Sequence, residues 1–180
     1  MSDTLATATY IDFSQAGTLA QVTIRADLTN PDVRTSIRSV AGLTVPDALC
    51  VTHEGGKRLV WMSPDELLLV LPDDVAVAAV ASLQETLADR HAMALDVSDT
   101  RALFRLNGQA VGEVLAKGAP CDLSDAGFPP GMARRTHLAG LAVGVWRLSP
   151  DAWEVVCFRS FAHHLDLWLE TAARDGAQVY

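Results

Sequence analysis

The chain has 180 residues, 49% of them hydrophobic, with a formal net charge of −8. That length and apolar content suit one domain, residues 1–180, with a sizeable core, and exclude a disordered chain. The acidic balance argues against nucleic acid or an anionic membrane as partner, and no apolar run nears the about 20 residues a bilayer crossing needs.

In chain order, residues 1 to about 18 are small and polar and read as a flexible arm. Gln21-Val22-Thr23-Ile24-Arg25 alternates in polarity and predicts a strand. Asn30-Pro31-Asp32 supplies a cap, a proline at the first helical position and an acid in the first turn, so a short helix follows with Val33, Ile37 and Val40 on its apolar face. Residues 41–56 read as loop with a strand around Leu49 to Thr52. Arg58 to Met62 and Leu67 to Leu71 form a hairpin around Ser63-Pro64-Asp65, and Asp73 and Asp74 suit the start of a helix over 75–90. Thr100 to Leu106 predicts a half-buried strand. Asn107-Gly108 leads into a helix carrying Val111, Val114 and Leu115, closed by Gly118 in a left-handed conformation with Lys117 on its negative end. Cys121 to Gly131 is irregular. Met132 to Leu138, Leu141 to Leu148 and the run into Cys157 are strands, and a last helix is capped by Ser160 and closed by Gly176.

One pattern organises these elements. Ser63-Pro64-Asp65 and the apolar run Leu67 to Leu71 recur 86 residues later as Ser149-Pro150-Asp151 and Trp153 to Cys157. At the same offset each copy enters an amphipathic helix, with Val75, Ala79 and Leu83 in the first and Phe161, Leu165 and Leu169 in the second. A turn, a strand and a helix matching at one spacing indicate duplication. The expected architecture is α+β, with pseudo-two-fold βαβ-type halves at about 19–95 and 96–180.

Chemical motifs are sparse. Glu54-Gly55-Gly56-Lys57 lacks the upstream glycine of a phosphate loop, because Val51 stands there and a strand follows. His163 and His164 are neighbours on a helix, about 100° apart, so they cannot share one metal ion. Within Asp96-Val97-Ser98-Asp99-Thr100-Arg101, Asp96 and Ser98 are expected to bond nearby backbone amides while Asp99 and Arg101 pair at the surface. Catalytic, cofactor-binding and metal-binding residues are accordingly all expected to be none. Cys50, Cys121 and Cys157 share no close spacing and fit a reducing, cytoplasmic compartment. Phe128-Pro129-Pro130-Gly131 is a rigid apolar loop suited to docking, so Arg101, Phe128, Pro129 and Pro130 form the candidate partner interface.

Three segments, taken in order, carry a family pattern: Asp96 to Arg101, Leu115-Ala116-Lys117-Gly118-Ala119-Pro120-Cys121-Asp122-Leu123, and Phe128 to Gly131. With the ending Phe158-Arg159-Ser160-Phe161-Ala162 through Trp168-Leu169, they resemble the γ subunit of heterotetrameric sarcosine oxidase. The resemblance implies a complex that oxidatively demethylates sarcosine to glycine and passes the one-carbon unit to tetrahydrofolate. FAD, FMN, NAD and tetrahydrofolate would then reside on larger α and β chains, beside a small δ chain, and γ would be a non-catalytic accessory subunit. The γ chain in turn is similar to a shortened folate-binding domain of the glycine-cleavage T-protein, itself a duplicated α+β fold. Those enzymes carry an acidic pair after a glycine in the hairpin before the repeated turn, whereas here Gly140 leads into Leu141-Ala142-Val143-Gly144. The alternative is a stand-alone folate-binding protein or folate-dependent aminomethyltransferase.

Overall fold

The computed structural model of the chain describes residues 10–72 and 75–174. In chain order its elements are β1 (Asp12–Gln15), β2 (Ala20–Arg25), α1 (Pro31–Ala41), β3 (Val51–Glu54), β4 (Lys57–Ser63), β5 (Glu66–Leu71), α2 (Ala76–Thr86), β6 (Met93–Asp96), β7 (Arg101–Asn107), α3 (Val111–Ala116), β8 (Ala133–Leu138), β9 (Leu141–Arg147), β10 (Ala152–Phe158) and α4 (Ala162–Ala172). Two five-stranded antiparallel sheets result, ordered β3-β4-β5-β2-β6 and β8-β9-β10-β7-β1. Each strand of the first order has its counterpart at the same place in the second. The duplication is therefore a property of the fold.

Side-chain alternation sorts the core into layers. Val22, Ile24, Leu67 and Leu69 face Val33, Ile37 and Leu83 of α1 and α2. Phe104, Leu106 and Val155 face Val114, Leu165 and Leu169 of α3 and α4. The opposite faces meet in the middle, where Val60, Leu68 and Val70 of one sheet pack against Leu103, Trp146 and Val156 of the other. The order is helix, sheet, sheet, helix. The sheets are also stitched at one edge: Cys50 bridges Met132, Val51 N–H donates to Gly131 O at 2.8 Å, and Ala133 N–H donates to Leu49 O at 2.8 Å.

Local signals account for several boundaries. Asn30 Oδ1 accepts from Asp32 N at 2.9 Å and Val33 N at 3.4 Å, and Gly42 at φ 71° closes α1 by donating to Arg38 O. Helices α2 and α4 are both eleven residues long and start 86 residues apart. Their expected stripes shift by one place at the start, because Val75 and Phe161 lie before the helices and are exposed. Asp73, Asp74 and Gly176, expected to begin one helix and end the other, lie outside the described residues.

Other expectations are corrected. Within the supposed arm, Asp12–Gln15 is a strand, hydrogen-bonded along β7 with Phe13 opposite Leu106. Ser160 caps nothing; it lies in a 3-10 turn over Arg159–Phe161, and α4 has no side-chain cap. Gly118 is not left-handed. A Cβ there would sit 2.7 Å from Trp168 Cζ2 and 3.0 Å from Ala139 N, so its glycine answers to crowding. Lys117 does not serve its own helix either: its Nζ donates to Ala172 O at 2.6 Å, fastening the end of α4.

Candidate functional site

The expected interface residues fall in two separate places. Phe128 is fully buried, stacked on Trp153 with centroids 5.1 Å apart and rings inclined by 12°. Arg147 lies over the other aromatic partner, its guanidinium carbon 4.9 Å from the Trp153 centroid, and holds Phe128 O, Pro150 O and Asp125. The aromatic expected to be offered to a partner is a core residue. Pro129 and Pro130 alone give that loop an exposed surface.

Arg101 belongs instead to a cleft between the sheets. It does not pair with Asp99 as expected. Its guanidinium lies 3.6 Å from Glu66 and donates to Thr23 Oγ1 at 3.4 Å. Glu66 opens β5 and is itself buried, held by Arg25 at 2.8 Å with Arg135 4.0 Å away. Burial lowers the pKa of Arg101 from its ordinary value; Glu66 opposes that change and the Arg135 charge adds to it. These groups line a cavity of about 400 Å³ with Met62, His137, Gly144, Val156 and Phe158.

Deeper between the sheets the polar chemistry is closed. Glu154, in the middle of β10, takes Arg58 Nε at 2.9 Å on Oε2 and Arg58 Nη2 on Oε1. The indole N–H of Trp146 donates to the same carboxylate at 2.7 Å. Every group is turned on another protein group, so the trio ties the sheets together and offers nothing to a ligand. Glu66 and Glu154 escaped the reading of the sequence, although each is a lone acid in an otherwise apolar strand. That mismatch is the available signal.

The remaining candidates resolve structurally. Asp96 Oδ1 accepts from Ser98 N at 2.9 Å, while Ser98 Oγ accepts from Gln21 N at 3.0 Å, as expected for a backbone-bonding turn. A larger hollow of about 920 Å³ beside α3 is lined by Glu113, Lys117, Asp122 and Arg147. Lys117 and Arg147 are engaged as described, and Asp122 accepts from Ser124 N at 2.9 Å. Among the described residues no group of three His, Cys, Asp or Glu could hold a metal ion, and no helix is long and apolar enough to cross a membrane.

Comparison with known proteins agrees with this fold. The sarcosine oxidase, gamma subunit family matches residues 25–175. A sarcosine oxidase subunit gamma from Corynebacterium sp. (strain P-1) is 34% identical over 68% of this chain and 59% of its own length. The matched stretch thus spans less than two thirds of that relative. In the heterotetrameric sarcosine oxidase from Corynebacterium sp. U-96, one chain superposes with a TM-score of 0.84 at 27% identity, covering 94% of this chain and 87% of that one. The glycine cleavage system aminomethyltransferase T from Bartonella henselae gives 0.64 at 15% identity over 94% of this chain and 50% of its own, a likeness of fold alone. Joined to the two matched sheets, the family match over residues 25–175 decides the assignment: the chain belongs to the sarcosine oxidase gamma subunit family.

Proposed function

We propose that this chain is a non-catalytic structural subunit of a heterotetrameric sarcosine oxidase, docked on larger chains that demethylate sarcosine to glycine and hand the one-carbon unit to tetrahydrofolate. One observation carries the reading. The middle of the space between the duplicated halves is filled by Leu68, Val70, Trp146 and Val156 and closed by the Arg58–Glu154 pair, with the cleft beside Glu66 left open at its side. FAD, FMN, NAD and tetrahydrofolate are assigned to the α and β partners, with a small δ chain completing the assembly. Cys50, Cys121 and Cys157 are free thiols, which supports a cytoplasmic location.

A folate ring fits this chain poorly. Its amino-pyrimidinone edge carries N–H donors that want a free carboxylate, and Glu66, the acid lining the open cavity, is already held by Arg25 at 2.8 Å. Co-expression with the larger chains, followed by gel filtration and an oxidase assay, tests the proposal. Co-elution is expected, with sarcosine turnover in the complex and none in the chain alone. Turnover by the purified chain, or tetrahydrofolate binding to it by calorimetry, would overturn it.

A further inference from the structure

The open end of the inter-sheet cleft is cationic in an acidic protein. Arg25, Arg101 and Arg135 gather there on Glu66, with Asp65 3.4 Å from Arg25, so three cations meet two anions in a chain of net charge −8. Only Arg25 is within hydrogen-bonding distance of Glu66; Arg101 at 3.6 Å and Arg135 at 4.0 Å are not. A guanidinium has five N–H donors. Arg101 has its side chain 16% exposed, and the interactions just given leave most of its donors unspent. Two guanidinia side by side at the mouth of a cavity suit a carboxylate gripped by two parallel N–H bonds.

The rim adds a second requirement. Leu95 stands opposite Thr23, Met93 opposite Arg25 and Phe158 opposite Arg101. These apolar side chains are exposed, at 53%, 44% and 54% respectively. Met93 and Leu95 lie on β6, an outer strand of its sheet, outside the residues that line the cavity. A small molecule filling about 400 Å³ would leave both in water. Large apolar groups ringing a partly desolvated arginine form the pattern of a protein interface. The backbone that carries Arg101 is also fixed in advance: Arg159 Nε donates to Asp99 O at 2.7 Å, and its Nη2 to Ser98 O at 3.1 Å and Arg101 O at 3.2 Å. Little ordering is left for association to impose.

We propose that this cleft receives an aspartate or glutamate side chain, flanked by apolar residues, from one of the larger chains of the assembly. The carboxylate bridges Arg101 and Arg135 while its apolar neighbours cover Leu95, Met93 and Phe158. This rests on the docking role proposed above and names the surface that performs it.

The test measures the affinity of the full chain for its co-purified larger partners at low and high ionic strength. Arg135→Glu, Leu95→Asp and Phe158→Asp alter exposed side chains, and circular dichroism melts verify their folding. Arg38→Glu on α1 is the control. Each cleft variant is expected to weaken association at least about tenfold, with Arg135→Glu also flattening the salt dependence, while Arg38→Glu changes neither. Wild-type association matched by all three folded cleft variants overturns this surface and leaves the docking role standing. A wild-type chain that binds no partner removes the docking role itself. Glutarate binding to the isolated chain that Arg135→Glu abolishes, with assembly unaffected, shows a small-molecule site and likewise overturns the proposal.

Discussion

Arg58 Nε donates to Glu154 Oε2 at 2.9 Å across 96 residues of sequence, joining β4 of one sheet to β10 of the other inside the central layer. Leu68 holds the position 86 residues before Glu154, so one half presents a leucine where the other presents a carboxylate. The asymmetry makes the halves complementary, and it fixes which sheet faces which.

Removing one member of that pair strands the other. Glu154→Ala leaves the Arg58 guanidinium, only 11% exposed, without its carboxylate and leaves the Trp146 N–H unpaired. A loss of about 3–5 kcal/mol is expected, read from urea unfolding. The double change Arg58→Met with Glu154→Leu should cost less than Glu154→Ala, because no charge remains buried. Equal losses would show that the pair does not act as a unit.

Phe128 should behave as core and its neighbours as surface. Phe128→Ala removes a ring stacked 5.1 Å from Trp153 and should destabilise the chain by about 3–5 kcal/mol. Pro130→Ala alters an exposed position and should stay within about 1 kcal/mol. Thermal melts of the two variants compared at one pH decide this. Matching melting temperatures would place the Phe128 ring on the surface.

Gly118→Ala inserts a Cβ 2.7 Å from the Trp168 ring and 3.0 Å from a backbone nitrogen. The neighbours cannot all retreat, and about 1–3 kcal/mol should be lost. Gly17→Ala, with nothing within 4 Å, is the matched control and should fall within about 0.5 kcal/mol of wild type. Denaturant midpoints for both variants check the difference.

Burial pushes the Cys157 thiol up from 9.0 to about 11. At pH 8 only about one such thiol in a thousand is ionised, so iodoacetamide should label Cys50 and Cys121 first and Cys157 only after unfolding. The same shift has a stability consequence with a definite sign. The unfolded thiol loses its proton first, so the thiol's contribution to stability falls as pH rises from 9.0 toward 11 and is flat near neutrality. Peptide mapping after timed labelling reads the first effect, and Cys157→Ala compared with wild type across that pH range reads the second.

Much of the fold was legible because its signals are local. Asn30-Pro31-Asp32 caps α1 where it stands, and the Ser-Pro-Asp repeat marks two hairpins and, at a fixed offset, helices α2 and α4. Strands β1 and β6 were not legible. Each has four residues, and their strand character comes from partners elsewhere, β7 for Asp12–Gln15 and β2 for Met93–Asp96. The site was harder still. Near Arg101 the sequence offers Asp99, whereas the residue that meets it in space is Glu66, on the other sheet. Gly118 misled for a similar reason: a glycine after a helix signals left-handed closure, while crowding by Trp168 exists only once α4 has docked.

The borrowed strand β1 has a further consequence. It occupies in the second sheet the place that β6 holds in the first, yet it comes from the opposite end of the chain. Tyr10 N–H donates to Ala173 O at 3.0 Å, so β1 begins beside the point where α4 ends. A circular permutant that links those points and opens between β6 and β7 would string the two units in tandem, each contiguous. Cutting the natural order at the same place gives a trailing fragment without its outer strand, so the second unit, unlike the contiguous β2–β6 unit, cannot be made whole by simple truncation.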